Sequence, residues 1–395
     1  MRLLKPVMVA LPLAALGAAA AVGWAGYTFG QFEEVRAAGD VACTPVVGIA
    51  GAGDIEPLPE TSSAYLAAFD RRGEGGEPAT RGQIVLFDTE NPLDSGSWRD
   101  RTGGVPAAFV PSGLDLYRTQ LPDGRTLTRL FVVNLAGPEV VVFDADERGE
   151  LTVAERVSDP RLTSPNDVVA TGPRSFYVTN DTASGRSTLR GKLDFLLGLR
   201  TGSILDYDGN SWAEVQTGLA FPNGLALSED GETLFLAEMR SRTLLRYDRD
   251  PATDTLRPAG STELPSFPNN LSVTAGGEVL VGALPQPLAT SAYGEGLRER
   301  AASEVLRVAP GGVVSTLLRD SGDTLSAATM ATEVAGRILV GSRAADRFLM
   351  CRSGDGRTAG GAGSPAGGGV FVPNLDGFDA TVAEEQGAEG ASEDQ

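Results

Sequence analysis

The chain of 395 residues contains no histidine. That absence excludes Ser-His-Asp and Cys-His nucleophile systems, imidazole general bases and His-ligated zinc. Cysteine is nearly absent as well: Cys43 and Cys351 are the only two, too few for a structural zinc site. They are either free buried thiols or one disulfide, and their placement favours a disulfide and an oxidising compartment. Positive charge is short, with 33 Lys and Arg against 52 Asp and Glu and a formal net charge of −19. So acidic a chain lacks the basic surface that displaces counterions from nucleic acid, so no nucleic-acid partner is expected. Small molecules and cations are the expected partners. Aromatics are modest, while 50 glycines suit a globular protein rich in strands and turns.

The two ends differ from the middle. Val7 to Phe29 is an uncharged, mostly apolar run of 23 residues, preceded by Arg2 and Lys5 and followed by Glu33 and Glu34. It is long enough to span a bilayer as a helix, and its basic flank predicts that end in the cytoplasm. A cleaved signal peptide is the competing reading, with small residues from Gly17 to Ala21, but the length favours a retained signal-anchor. Either way the rest is exported, membrane-anchored on the extracytoplasmic side or secreted. Residues 353–395 are rich in Gly, Ala and Ser, with eight acidic residues and one Arg, and read as a disordered acidic tail. The expected organisation is an anchor or signal over 1–30, a linker over 31–42, a globular region over 43–352 and the tail over 353–395.

Between the cysteines a unit repeats. "PSGLDLYRTQLPDGRTLTRLFVVNL", "PNDVVATGPRSFYVTND", "FPNGLALSEDGETLFLAE" and "PNNLSVTAGGEVLVGAL" each give a strand, a Gly-bearing turn and a second strand, followed by a further strand. Asp54 and Ala327 head more degenerate copies. Taking Asp54, Ser112, Asn166, Asn223, Asn269 and Ala327 as starts gives separations of 58, 54, 57, 46 and 58 residues. Repeats of this length, with three or four short strands each, predict an all-β fold, a six-bladed β-propeller. Ring closure would bring "CTPVVGIA" at 43–50 beside "RFLMC" at 347–351, where a Cys43–Cys351 bond would act as a clasp.

The first strand of each blade is innermost, so Asp54, Ser112, Asn166, Asp167, Asn223, Asn269 and Asn270 should gather around the axis. Turn chemistry explains an isolated Asn-Gly pair but does not require the same register in successive blades. Carboxylate and amide oxygens suit a hard cation such as calcium, which takes six to eight oxygen ligands; a purely structural polar channel is the other reading. Two insertions interrupt the blades. Residues 183–200 predict a short amphipathic helix near the channel mouth, either a lid near lipid or a helix packed on the propeller. Residues 285–303 read as a bordering segment or a surface loop.

At "SPNDVVATGPRSFYVTND", "FPNGLALSEDGETLFLAE" and "NNLSV", with the terminal cysteine pair and the apolar N-terminus, the chain resembles the paraoxonase/arylesterase family over about 300 residues. Gluconolactonase and strictosidine-synthase-like propellers are similar but less close. The resemblance implies a six-bladed propeller with two calcium ions in its tunnel that hydrolyses aryl esters and lactones. By it, Asn166, Asn223, Asn269 and Asn270 occupy ligand positions of a catalytic calcium. Asp54, Asp167 and the backbone carbonyl of Leu114 occupy those of a structural calcium. The chain departs from the family pattern at Gly53 and Asn269, where that pattern has acidic ligands, and at Ser112 and Leu135, where it has histidines. Asp181 is then the nearest candidate base, and Ser112 is either a nucleophile or a packing residue. Two functions follow: a membrane-anchored, calcium-dependent hydrolase with an altered catalytic site, or a non-catalytic ligand-binding propeller keeping only the structural calcium.

Overall fold

Apolar alternation and turn chemistry set the local structure. In Pro222–Leu227 and Thr233–Glu238, Leu225 pairs with Leu236 and Ala226 with Phe235. The intervening turn closes where Glu232 N–H donates to Asp230 Oδ1 at 3.0 Å and Gly231 takes φ 70°, a left-handed conformation that glycine adopts without a Cβ clash. Further strands repeat this pattern outward from the axis. The computed structural model describes residues 16–353, apart from residue 18 and residues 73–80, 93–97 and 106.

The described strands form six sheets. Their innermost strands are Ala52–Pro57, Pro111–Gln120, Pro165–Ala170, Pro222–Leu227, Phe267–Val273 and Ala328–Val334. Each packs against the next, and the sixth packs against the first, so the ring is closed. This is the six-bladed propeller that the repeat spacing predicts. Apolar side chains fill the wedges between blades. Phe87 of the first blade meets Phe348 of the sixth edge-on at 4.9 Å, and Phe131 of the second meets Phe176 of the third at 5.7 Å. Burying each such ring contributes about 1.5–3 kcal/mol.

Closure follows the expected plan. Val41–Val47 pairs antiparallel with Arg347–Ser353 and completes the sixth blade, with Cys43 directly opposite Cys351 and bonded to it. In the chain-entropy account a loop of this length contributes roughly 5 kcal/mol. The stretch expected to be a linker also takes part, because Ala38–Gly39 pairs with the outer strand Val314–Asp320 of the fifth blade.

The helix ending at Thr28 delivers Phe29 into a buried cluster with Met239, Phe267 and Leu284. Of the apolar run Val7–Phe29, residues 7–15 and 18 lie outside the described residues, and no described helix is long and apolar enough to cross a membrane. The acidic tail beyond Ser353 also lies outside them.

The insertion over 183–200 does form a helix, Leu189–Leu197. Thr188 caps its start by accepting from Gly191 N–H, and Gly198 ends it in the left-handed region. Phe195 packs edge-on against Phe221 at 4.8 Å, while Leu189, Leu193 and Leu197 are exposed. Arg240 donates to the Phe195 and Leu196 carbonyls at 2.8 and 3.2 Å, satisfying the helix end. The insertion over 285–303 carries a second helix, Pro287–Gly294.

Candidate functional site: a channel in two tiers

Every innermost strand shifts register near its start: at Ala52/Asp54, Pro111/Leu114, Pro165/Val168, Pro222/Leu225, Pro268/Leu271 and Ala328/Met330. A β-bulge re-aims the side chains it contains, and here it recurs in all six blades. It buries Asn166, Asn223, Asn269 and Asn270. The glycines beside them are fixed by the next blade: a Cβ on Gly224 would lie 2.5 Å from the Asn269 carbonyl oxygen, and one on Gly113 would strike the Asp167 side chain.

The lower tier is acidic. Asp54 accepts from the N–H of Leu114 at 2.8 Å and Asp115 from that of Ala170 at 2.6 Å. Asp167 accepts from Leu225 N–H at 2.7 Å. Each carboxylate thus bonds the backbone of the neighbouring blade, so the three act as braces around the ring. With Glu56 and Leu114 they line a cavity of about 170 Å3. Burial pushes Asp54 and Asp115 up to about 7, against the pull of their backbone donors. Burial, reinforced by the neighbouring carboxylates, holds Glu56 and Asp167 well above the usual range.

The upper tier, at the mouth, is different. Asp181 is buried and follows directly on the second strand of its blade, Phe176–Asn180. Asn166 Nδ2 donates to its Oδ1 at 2.7 Å, and Arg186 forms an ion pair with its other oxygen. Burial raises the Asp181 carboxyl, with Arg186 and Asn166 opposing. Arg343 follows the second strand of the sixth blade as Asp181 does that of the third, and its positive charge reaches Asp181. Arg71 joins them from the first blade. Burial and the charges of Arg343 and Arg186 push Arg71 down to about 9, and burial and Arg186 push Arg343 down to about 10. Among the described residues, Asn223 Oδ1 and Asn270 Oδ1 are buried without a hydrogen-bond partner, as is Arg71 Nε.

The remaining expected residues sit apart from this chemistry. Ser112 is half-buried in the bulge of the second blade. Leu135, at the equivalent of the Asp181 position, packs on the apolar cluster between the second and third blades. A further cavity of about 520 Å3 lies off the amide ring, lined by Arg72, Tyr293, Ala344 and Asp346 among others. It touches none of the amide ring.

The two tiers fit a calcium ion unequally. Among the described residues no three Asp, Glu, His or Cys side chains stand close enough to enclose a metal by themselves. In the lower tier Asp54, Glu56, Asp115 and Asp167 nonetheless supply crowded, mutually repelling carboxylates, and a hard cation held with Leu114 would relieve that repulsion. In the upper tier the amides are neutral, the single carboxylate is already paired with Arg186, and two more guanidiniums add positive charge. That donor set does not fit a divalent cation.

Fold and site together define a six-bladed β-propeller whose innermost strands bring buried carboxylates and amides together around one axis. Within that class the chain belongs to the Arylesterase family, whose family model matches residues 34–352. It is 28% identical over 332 residues to serum paraoxonase/arylesterase 1 of Rattus norvegicus, covering 81% of this chain and 91% of the relative. It is 26% identical over 303 residues to serum paraoxonase/lactonase 3 of Homo sapiens, covering 74% and 83%. Among solved structures, a gluconolactonase from Xanthomonas campestris shares the fold at a TM-score of 0.51 and 14% identity, over 80% of this chain and 90% of that one. A luciferin-regenerating enzyme does so at 0.50 and 13%, over 79% and 95%.

Sequence reasoning missed Arg71, Arg186, Arg343, Glu56 and Asp115. Arg343 was readable, because it holds the same place after its second strand as Asp181 and Leu135 do after theirs.

Proposed function

We propose that the protein hydrolyses carboxylic esters, including aryl esters, and lactones at the upper tier, with a calcium ion in the lower tier as a structural brace. The observation that carries this reading is Asp181, a buried carboxylate oriented by Asn166 at the channel mouth of an Arylesterase-family chain. Its raised affinity for protons moves it toward the range in which a carboxylate serves as a base. Asp181 takes a proton from water as the water oxygen bonds to the substrate carbonyl carbon. The bond to the leaving oxygen then breaks, and that oxygen recovers the proton from Asp181. Asn166 fixes one carboxylate oxygen, and Arg186 keeps the group ionised between turnovers. Ser112 has no base to activate it and serves to solvate the mouth rather than attack. Asp54, Asp167 and the Leu114 carbonyl would hold the calcium, which when bound would supply charge neutralisation between blades.

The test is turnover of phenyl acetate and a lactone panel by the full chain. Asp181→Asn should lower kcat by about 100-fold or more; equal rates in the two proteins would sink the reading. A second reading, a ligand-binding propeller without turnover, is favoured by Leu135 and by the pairing of Asp181 with Arg186. It gains support if both proteins leave the substrates at the uncatalysed rate. We further propose that the N-terminal apolar run attaches the chain to a membrane, with the disulfide-bonded propeller on the extracytoplasmic side. Recovery of the full chain in the soluble fraction, uncleaved, would refute attachment.

A further inference from the structure

The resemblance leads one to expect a cation at the mouth, but the residues present reverse its charge. Gly53 and Asn269 stand where acidic ligands would be, and Arg343 lies against Gly53: a Cβ built on that glycine would come 3.4 Å from the Arg343 Cα. Arg71, Arg186 and Arg343 arrive from three blades, the first, the third and the sixth. Their charges repel one another, and the buried Asp181 answers only two of them, ion-paired with Arg186 and within reach of the Arg343 charge, with Glu295 adding a further negative charge that acts on Arg343. Guanidiniums brought together in a low-dielectric site recruit an anion. Two further atoms point the same way toward a bound molecule. Asn223, 3% exposed, and Asn270, 6% exposed, each hold an amide oxygen with no hydrogen-bond partner among the described residues. Buried acceptors of that kind are costly unless a donor meets them, and a ligand hydroxyl would be such a donor.

We propose that the upper tier is an anion-recognition site for a small hydroxy-carboxylate, its carboxylate taken by Arg71, Arg186 and Arg343 and its hydroxyl donating to Asn223 and Asn270. A hydroxy-carboxylate is what remains when water opens a lactone, so in naming this ligand class the inference rests on the hydrolase reading. The binding itself does not require turnover.

Calorimetric titration of the full chain with γ-hydroxybutyrate, butyrate and neutral γ-butyrolactone tests it. The hydroxy-acid should bind more tightly than butyrate, and added salt should weaken both. Arg343→Gln and Arg71→Gln should each weaken the hydroxy-acid about tenfold or more, with lactone affinity little changed and melting temperature retained. If either glutamine variant fails to fold, Gly53→Glu provides the second arm: it sets a carboxylate against Arg343 and should compete with the added anion. Equal hydroxy-acid affinity in wild type and folded variants would overturn the proposal. So would metal counting that finds two calcium ions per chain, one of them lost in Asn223→Ala. Anion binding without ester or lactone turnover would sink the hydrolase reading and leave this site standing; turnover without anion binding would do the reverse.

Discussion

The two tiers of the channel draw on the same innermost strands, within one or two residues of each other, and yet differ in charge: the lower keeps its carboxylates, whereas the upper sets neutral amides of those strands beside arginines that arrive on neighbouring loops. Asp54 follows Gly53, and Asp167 follows Asn166. Below, the carboxylates reach across to backbone N–H groups of the next blade, so their removal disturbs the ring itself. Above, the side chains at the mouth hold one another and leave acceptor oxygens unmet, so their removal disturbs a ligand site more than the fold. The pairing shows how a bulge lets adjacent residues serve stability and recognition separately.

The comparison can be broken most forcefully at the lower tier. Asp167→Ala removes the brace to Leu225 and, under the proposed function, a calcium ligand. A bound ion at a thousandfold excess over its Kd contributes about 4 kcal/mol, so the variant, or chelation of the wild type, should lower the melting temperature by roughly 10 °C. An unchanged melting curve after chelation, with metal loss verified, would remove calcium from the lower tier.

Acidity gives the next largest effect. Asp54 and Asp115 have folded-state values pushed up to about 7, so the folded, metal-free protein holds protons that the unfolded chain releases. Stability is then greatest on the acid side and is lost as pH rises from about 4 toward 7. Chelated protein should melt at lower temperature at pH 8 than at pH 5, and calcium should flatten that slope. A chelated protein that gained stability across this interval would contradict the crowded-carboxylate account.

The smallest change tests the upper tier. Gly53→Glu with Asn269→Asp restores two carboxylates, and the 3.4 Å approach at Gly53 leaves room for a side chain. The double variant should gain one bound calcium per chain while its stability changes by about 1 kcal/mol. Metal counting decides the outcome: an unchanged count would show that the arginines, rather than the missing acids, exclude the ion.

Much of this was legible before any coordinates. The blade spacing, the Pro-Asn register and the cysteine clasp all come from repeated local signals, which survive because each blade solves the same packing problem. The acidic partners were harder. Glu56 lies two residues beyond Asp54 on one strand, as pleating allows, but Asp115 is separated from Ser112 by a register shift that alternation does not foresee. Arg71 and Arg186 were hidden for a different reason: they lie on loops whose return to the axis depends on how three blades meet.

The clasp also sets a timetable. Val41–Val47 is among the first strands to be made, and its sheet partner among the described residues, Arg347–Ser353, lies 308 residues later at the disulfide. At 5–20 residues per second, the early strand waits roughly 15–60 s as an unpaired edge. Ala38–Gly39, bound to the fifth blade, offers it a foothold before the sixth is complete. Ring closure is therefore the last act of folding, and a chain cut short before Cys351 would be left with an open, adhesive seam.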